Sequence, residues 1–423
     1  MSDPGGEILF LAHRVPFPPD RGDKIRSHHI LKALAGLAPV HVATLGDNDS
    51  DMAHDAELAE VAASHCLIRR EKPLWRAGLE ALARNCPVSL AAFHNSALAA
   101  YVEKTLSTRP IDTIYVFSGQ MGQYVPHDFK GRVLLDLVDV DSAKFDEYAT
   151  RGFALRRWIH AREGRLLKSV EESMSARACH TLLVSEAEAD LFRSRIGTPA
   201  DHTILALGNG IDAGFFDPGV VRPHPEIASA PGPHIVFTGQ MDYAPNVAAA
   251  HMLLGAILPA LRHVHPEAMA HVVGRNPAPS LLQYDGAKGA RVWGGVPDMR
   301  PFLAAADVAC VPLSLARGVQ NKVLEAMAMA CPVVVSETAA TGIGAKDGAQ
   351  FAIAYGPDGF VARILELLAH RTESRAMGRA ARAFVIEQRS WPAMLAALPM
   401  LAARGASQVR LVDNAFEPSR HVA

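Results

Sequence analysis

The chain has 423 residues, 49% apolar and 20% charged, with a formal net charge of -2. That length suits about two to three well-filled domains, and the near-neutral balance excludes bulk attraction to nucleic acid. Five cysteines, Cys66, Cys86, Cys179, Cys310 and Cys331, form no C-x-x-C pair. This excludes a zinc or disulfide framework and predicts a cytoplasmic protein with single buried thiols.

The first apolar stretch, Ile8–Ala12, is short and has no basic region before it. It therefore reads as a buried strand and not as a signal peptide. Nowhere do roughly 18 apolar residues run uninterrupted, so no membrane span is predicted. The spacing of Ile25, Ile30, Leu31, Leu34 and Leu37 predicts a helix over Lys24–Ala38. A strand at Val40–Leu45 and a helix at Ala53–Ala63 follow, and strands recur at Asp112–Phe117, Arg132–Leu137 and His180–Val184. The stretch from Gly208 to Pro233 is rich in Pro, Gly and Asp and reads as a linker. Alternation then restarts with strands at His234–Thr238, Ala268–Val273, Asp307–Pro312 and Pro332–Ser336. The helices of this half are expected at Val247–His263, Pro301–Ala306, Asn321–Ala330, Val361–His370 and Ser374–Gln388. Strands alternating with helices predict an α/β fold with two Rossmann-like, doubly wound parallel sheets. Such sheets hold ligands at the carboxyl ends of their strands. The domains are set at 1–208 and 234–388 with a hinge over 209–233. A C-terminal helix follows over 389–404, and a loose tail over 405–423.

Several residue groups carry chemistry. The Asn321–Ala330 helix opens after a glycine-containing loop, and Lys322 lies in its first turn. Free N–H groups at a helix start attract phosphate, and the ammonium adds a full charge. Glu325 shares a face with Lys322, so a cation for diphosphate stands beside an anion for hydroxyls. An ordinary surface helix carries the same kind of pair. Gly22 sits in a loop that opens the Lys24–Ala38 helix and would let backbone approach a ligand. His13 and Ser118-Gly119-Gln120 follow strands of the first domain. The run Asp139-Val140-Asp141 could hold a divalent cation, serve the acceptor side, or cap the following helix. From Arg151 to Lys168 six Arg or Lys stand against one Glu, interleaved with Phe153, Leu155, Trp158 and Ile159. A basic amphipathic helix of that kind can lie on the inner, anionic face of a membrane or pack by its apolar side on its own domain. No G-x-G-x-x-G follows the first strand and no Walker A sequence is present, against a dehydrogenase or an ATPase.

The run Leu324-Glu325-Ala326-Met327-Ala328, followed by Cys331-Pro332-Val333-Val334-Val335, resembles the donor-site signature of family 4 retaining glycosyltransferases. The resemblance implies the GT-B architecture, two Rossmann-like domains facing a central cleft. It makes Glu325, the second Glu of an E-x7-E pattern, the contact to the donor ribose. The first Glu is missing, and Gly318 is read in its place. That leaves backbone N–H groups, Gln320 and Asn321 to hold the sugar.

Other segments are similar to the same family: the loop around Gly22, Asn209-Gly210-Ile211-Asp212 as the hinge, and the loop at Gly239. Val273-Gly274-Arg275 also matches, which makes Arg275 a diphosphate ligand. Trp391 resembles a C-terminal segment that crosses back to the first domain. Asp136 to Ser142, followed by Lys144, brings the set nearest to glycosyltransferases of exosortase-associated (PEP-CTERM) exopolysaccharide clusters. The implied activity is transfer of a sugar from a nucleotide-sugar donor to a glycan or lipid-linked acceptor. Neither a cofactor nor a metal is implied. His13 and Asp139 are the catalytic candidates; Gly22, Gly239, Arg275, Gln320, Asn321, Lys322 and Glu325 are the donor-binding ones. A nucleotide-sugar epimerase and a degenerate, non-catalytic binding protein are the competing readings.

Overall fold

The computed structural model describes residues 6–150, 153–197, 204–316 and 318–402. The chain divides into two units, Met1–Asn209 with Leu395–Ala423, and Gly210–Met394.

The first unit is built on strands β1 (Glu7–Ala12), β2 (Val40–Gly46), β3 (Ser64–Arg69), β4 (Ile111–Phe117), β5 (Arg132–Val138), β6 (His180–Leu183) and β7 (Ile204–Ala206). They form one parallel sheet in the order β3-β2-β1-β4-β5-β6-β7. The inner strands are buried nearly throughout, which parallel strands covered by helices on both faces require. The second unit holds β8 (His234–Thr238), β9 (Met269–Val273), β10 (Ala290–Gly294), β11 (Val308–Val311), β12 (Val333–Ser336) and β13 (Ala352–Ala354). Its parallel order is β10-β9-β8-β11-β12-β13. The predicted fold class, two doubly wound Rossmann-like domains, is what the chain adopts.

Local differences have local causes. The helix expected over Ala53–Ala63 is two short pieces, Asp49–Met52 and Asp55–Val61, the first begun by Asn48, whose Oδ1 accepts from Asp51 N at 2.9 Å. The Val361–His370 helix begins earlier, at Gly356, with Pro357 in its first turn. The expected helix over 389–404 is two short ones, Trp391–Met394 and Leu398–Ala402. The tail over 405–423 lies outside the described residues. The helical run Ala244–Val264 is long and apolar enough to cross a membrane, with a mean hydropathy of 1.5. Here it is a core element, burying Ala249, Ala250, Leu253, Leu254, Ile257, Leu258 and Leu261.

A buried polar cluster fixes the carboxyl end of β5. Asp136 is fully buried and takes Arg26 in a two-pronged pair, Nε at 3.0 Å and Nη2 at 3.1 Å. Tyr115 Oη donates to the same carboxylate at 2.8 Å, and Val138 N does so at 3.1 Å. Arg26 Nη1 also donates to Leu207 O (2.7 Å) and Asn209 Oδ1 (2.9 Å), so one guanidinium pins the residues that lead out of the first unit. Both charges in this dry cluster are met by several hydrogen bonds, which is the condition under which a buried pair is tolerated.

Candidate active site

Strand order decides where a ligand can sit. In the second unit the order reverses between β8 and β11, and the loops leaving these neighbours open a crevice at their carboxyl ends. Gly239–Tyr243 leaves β8, and Pro312–Gln320 leaves β11.

The Asn321–Ala328 helix closes that crevice. It buries Val323, Leu324, Ala326, Met327 and Ala328, which leaves Asn321, Lys322 and Glu325 on its other side. No side chain caps its start; Gln320 occupies the cap position and donates its Nε2 to Gly318 O at 3.1 Å. First-turn N–H groups without a side-chain cap are suited to an anion. The far end is anchored by Arg382, whose Nη1 donates to Ala328 O at 2.6 Å.

Lys322 reaches across the crevice floor. Its Nζ donates to Asn246 Oδ1 and stands 5.2 Å over the Phe237 ring at the end of β8. Asn246 is held in turn, donating Nδ2 to Gln240 O at 2.9 Å. Burial pulls the Lys322 ammonium down to about 8, against the opposing pull of Glu325. Burial pushes the Glu325 carboxyl up to about 7, with Lys322 drawing it back. The two make no direct ion pair among the described residues, and the Glu325 carboxylate accepts no hydrogen bond from them. A cation and an anion, both short of solvent, are thus presented side by side.

Gly239 is required by space. A Cβ there would lie 2.9 Å from Asn246 Nδ2 and 3.3 Å from Lys322 Nζ. Gly274 is tighter still, its Cβ falling 1.5 Å from Gly239 O. Arg275 follows β9 and is exposed; its carbonyl takes Met241 N at 2.8 Å, which ties it to the Gly239 loop. Gly239 and Asn246 therefore lie against Lys322, Glu325 follows one helical turn on, and Arg275 is tied to the Gly239 loop. The sequence places Phe237 and Asn246 only at the two ends of a run similar to the family's first nucleotide-domain loop, and gives neither a role of its own. Eight residues before Glu325 stands Arg317, so the first position of E-x7-E belongs there and not at Gly318. Neither is a Glu, and Arg317 lies outside the described residues.

The other predicted residues belong to the first unit. Gly22 begins the Gly22–Ala35 helix, is exposed, and a Cβ on it would meet nothing within 4 Å. His13 leaves β1, one of the two strands at that sheet's own reversal point, β1 and β4. It stacks on Phe117 with ring centroids 5.7 Å apart, and its Nε2 lies 3.4 Å from Asp23 Oδ2. Its Nδ1 is buried with no hydrogen-bond partner among the described residues. Asp139 is paired with Lys144 at 2.8 Å, and the same ammonium reaches Asp141 at 3.2 Å. Gln120 links Ser118 to Asp141. Neither aspartate caps the next helix; Val140 holds that position without a side-chain cap. Among the described residues no group of His, Cys, Asp and Glu is arranged to hold a metal ion.

Residues 232–370 match the family model described as Glycosyl transferases group 1. No curated protein matches the chain by sequence. Solved structures share the fold across both domains. HepE of Anabaena, solved with UDP and glucose, is 15% identical with a TM-score of 0.57, over 93% of this chain and 98% of that one. Sucrose-phosphate synthase of Thermosynechococcus elongatus is 16% identical with a TM-score of 0.59, over 94% and 98%. WaaG, a glycosyltransferase involved in lipopolysaccharide biosynthesis, is 16% identical with a TM-score of 0.56, over 94% and 100%. The crevice between β8 and β11 thus lies in a glycosyl transferases group 1 domain, and the chain is an enzyme of the glycosyltransferase type.

Proposed function

We propose that the chain transfers a sugar from a nucleoside-diphosphate sugar to a glycan or lipid-linked acceptor. The reading includes retention at the anomeric carbon and a part in making exopolysaccharide or another cell-surface polysaccharide. The work is done in the cytoplasm, peripheral to the inner face of the membrane. The observation that carries the reading is Lys322, half-buried at the strand-order reversal beside Gly239 and Asn246, in the segment that matches the family. A nucleotide-sugar donor is further supported by HepE, whose structures were solved with UDP, with UDP and glucose, and with UDP-glucose.

In this reading Lys322, the uncapped helix start and Arg275 take up charge on the departing diphosphate. Stabilising charge that develops in the transition state is commonly the largest catalytic contribution. Glu325 accepts from the ribose hydroxyls. Gly239 brings backbone close to the donor, and Gln320 and Asn321 face the sugar. Gly22, His13 and Asp139 serve the sugar or the acceptor from the first unit. Retention and the polysaccharide role rest on the sequence resemblance.

A thermal-shift panel of nucleoside diphosphates and their sugars tests the donor, since a ligand that binds only the native state raises its melting temperature. A shift with one nucleotide that disappears in Lys322→Ala supports the reading. No shift with any of them removes it and favours a non-catalytic binding protein.

A further inference from the structure

Two helices of the first unit present large apolar residues outward. In Leu74–Ala83 the buried positions are Ala77 and Ala81, the smallest side chains available for packing. Trp75 (69% exposed), Leu79 (60%) and Leu82 (55%) lie on the opposite side, at i, i+4 and i+7, with Leu74 also exposed. This helix is amphipathic in the inverted sense: its bulk is outside. In Ala154–Ser175 the exposed stripe is Leu155, Trp158 and Ile159, preceded by Phe153 at 84% exposure. The two stripes are tied together. Arg162, on the same side as Leu155, Trp158 and Ile159, donates to Ala81 O at 3.0 Å and Cys86 O at 3.3 Å, where the first helix ends. Exposed apolar side chains concentrated in this way mark an interaction surface.

The charges around this surface are mostly positive. Arg84, Arg156 and Arg165 form no ion pair among the described residues, and Arg157 donates to a carbonyl, Ala149 O. Glu71, exposed before the first helix, is unpaired among the described residues, but other nearby carboxylates are occupied. Glu80 pairs with Lys72 and Arg76, and Glu172 with Lys168. Glu163 is buried, accepting from Val88 N, Ser89 N and Ser89 Oγ. Residues 153–159 are exposed on every side. Apolar side chains interleaved with arginines, with tryptophan among them, favour the headgroup boundary of a bilayer.

We infer that the outward faces of Leu74–Ala83 and of 153–159 form one docking surface for an anionic lipid bilayer. The apolar side chains enter the acyl boundary, and Arg84, Arg156, Arg157 and Arg165 lie at headgroup level. This deepens the peripheral placement proposed above, rests on that placement, and stands apart from sugar transfer because binding is read with no donor or acceptor.

The test is co-sedimentation of the full chain with phosphatidylcholine–phosphatidylglycerol vesicles against pure phosphatidylcholine vesicles. Binding to the anionic vesicles is expected, weakened by salt, with a blue shift in tryptophan emission. Trp75→Ser/Leu79→Ser and Arg156→Gln/Arg157→Gln should each lower partitioning about tenfold or more; each surface arginine contributes about 1 kcal/mol to such binding. Melting temperatures should be unchanged, since all four side chains are exposed. A double variant at Trp75 and Trp158 should lose the blue shift. Vesicle binding that survives all these variants overturns the inference. So does no vesicle binding together with self-association that the same variants abolish, because the surface then belongs to a second copy of the chain.

Discussion

Lys322 and Glu325 stand one helical turn apart, and burial moves their ionisations toward each other, the ammonium down to about 8 and the carboxyl up to about 7. Both displacements oppose folding near neutrality. The folded Glu325 lies above its ordinary 4.5, so the folded chain holds the extra proton and stability falls as pH rises from 4.5 to about 7. The folded Lys322 lies below its ordinary 10.5, so its penalty is full below about 8 and is relieved as pH rises toward 10.5. Between about 7 and 8 both penalties are in force. A perturbed pair of this kind marks a candidate functional site.

Glu325→Gln is therefore expected to stabilise the ligand-free protein at pH 8 by about 1 kcal/mol, since a tenfold change in an acid dissociation constant corresponds to about 1.4 kcal/mol. It should also flatten the decline in stability between pH 4.5 and 7. Thermal melts across that range read both effects, and an unchanged profile would count against burial as the cause.

Lys322→Ala should lower kcat/KM by about 100- to 1000-fold, the usual cost of one charge-stabilising group. Its melting temperature should not fall, because the ammonium is held down by burial and is not a net stabiliser. Normal turnover by this variant would remove Lys322 from the donor site.

Two glycine substitutions separate space from access. Gly239→Ala drives a methyl against Asn246 and Lys322 and should weaken nucleoside-diphosphate binding about tenfold. Gly22→Ala meets nothing within 4 Å. Unchanged stability with lost turnover in Gly22→Ala would show that a ligand approaches this loop; unchanged turnover would take Gly22 out of the site. Calorimetric titration and steady-state rates distinguish these outcomes.

Arg26→Ala should cost about 3–5 kcal/mol, the range for leaving one buried partner uncompensated. Replacing Arg26 and Asp136 together by apolar residues should cost less than the sum of the single changes. Denaturant titrations of the two single variants and the double variant measure this coupling.

The parts of the fold legible in the sequence are those driven by continuous burial. Ile8–Ala12, Val40–Leu45 and His234–Thr238 are apolar runs of strand length and fall within a residue or two of the observed bounds. The strands that the sequence hides lie toward the sheet margins: β3 is half-buried, with only Cys66, Leu67 and Ile68 apolar, and β13 has three residues. Such strands lack the buried run that periodicity detects. Lys322 and Glu325 are legible because one helix face displays both. The role of Asn246 is not, because its link to Lys322 joins two helices brought together by strand order. Leu74–Ala83 carries no expectation from the sequence, and only the folded chain shows its large apolar side chains facing outward.

The loop from Pro312 to Gln320 is clamped at its root, where Ser336 Oγ and Thr338 Oγ1 both donate to Leu313 O at 2.6 Å. Beyond that clamp, Ser314, Leu315, Gly318 and Val319 are exposed and carry none of the core. On the proposed reading, the diphosphate contact Lys322 belongs to the helix behind this loop. Changes at Ser314, Leu315, Gly318 and Val319 would then leave both that helix and the core of the domain as they are.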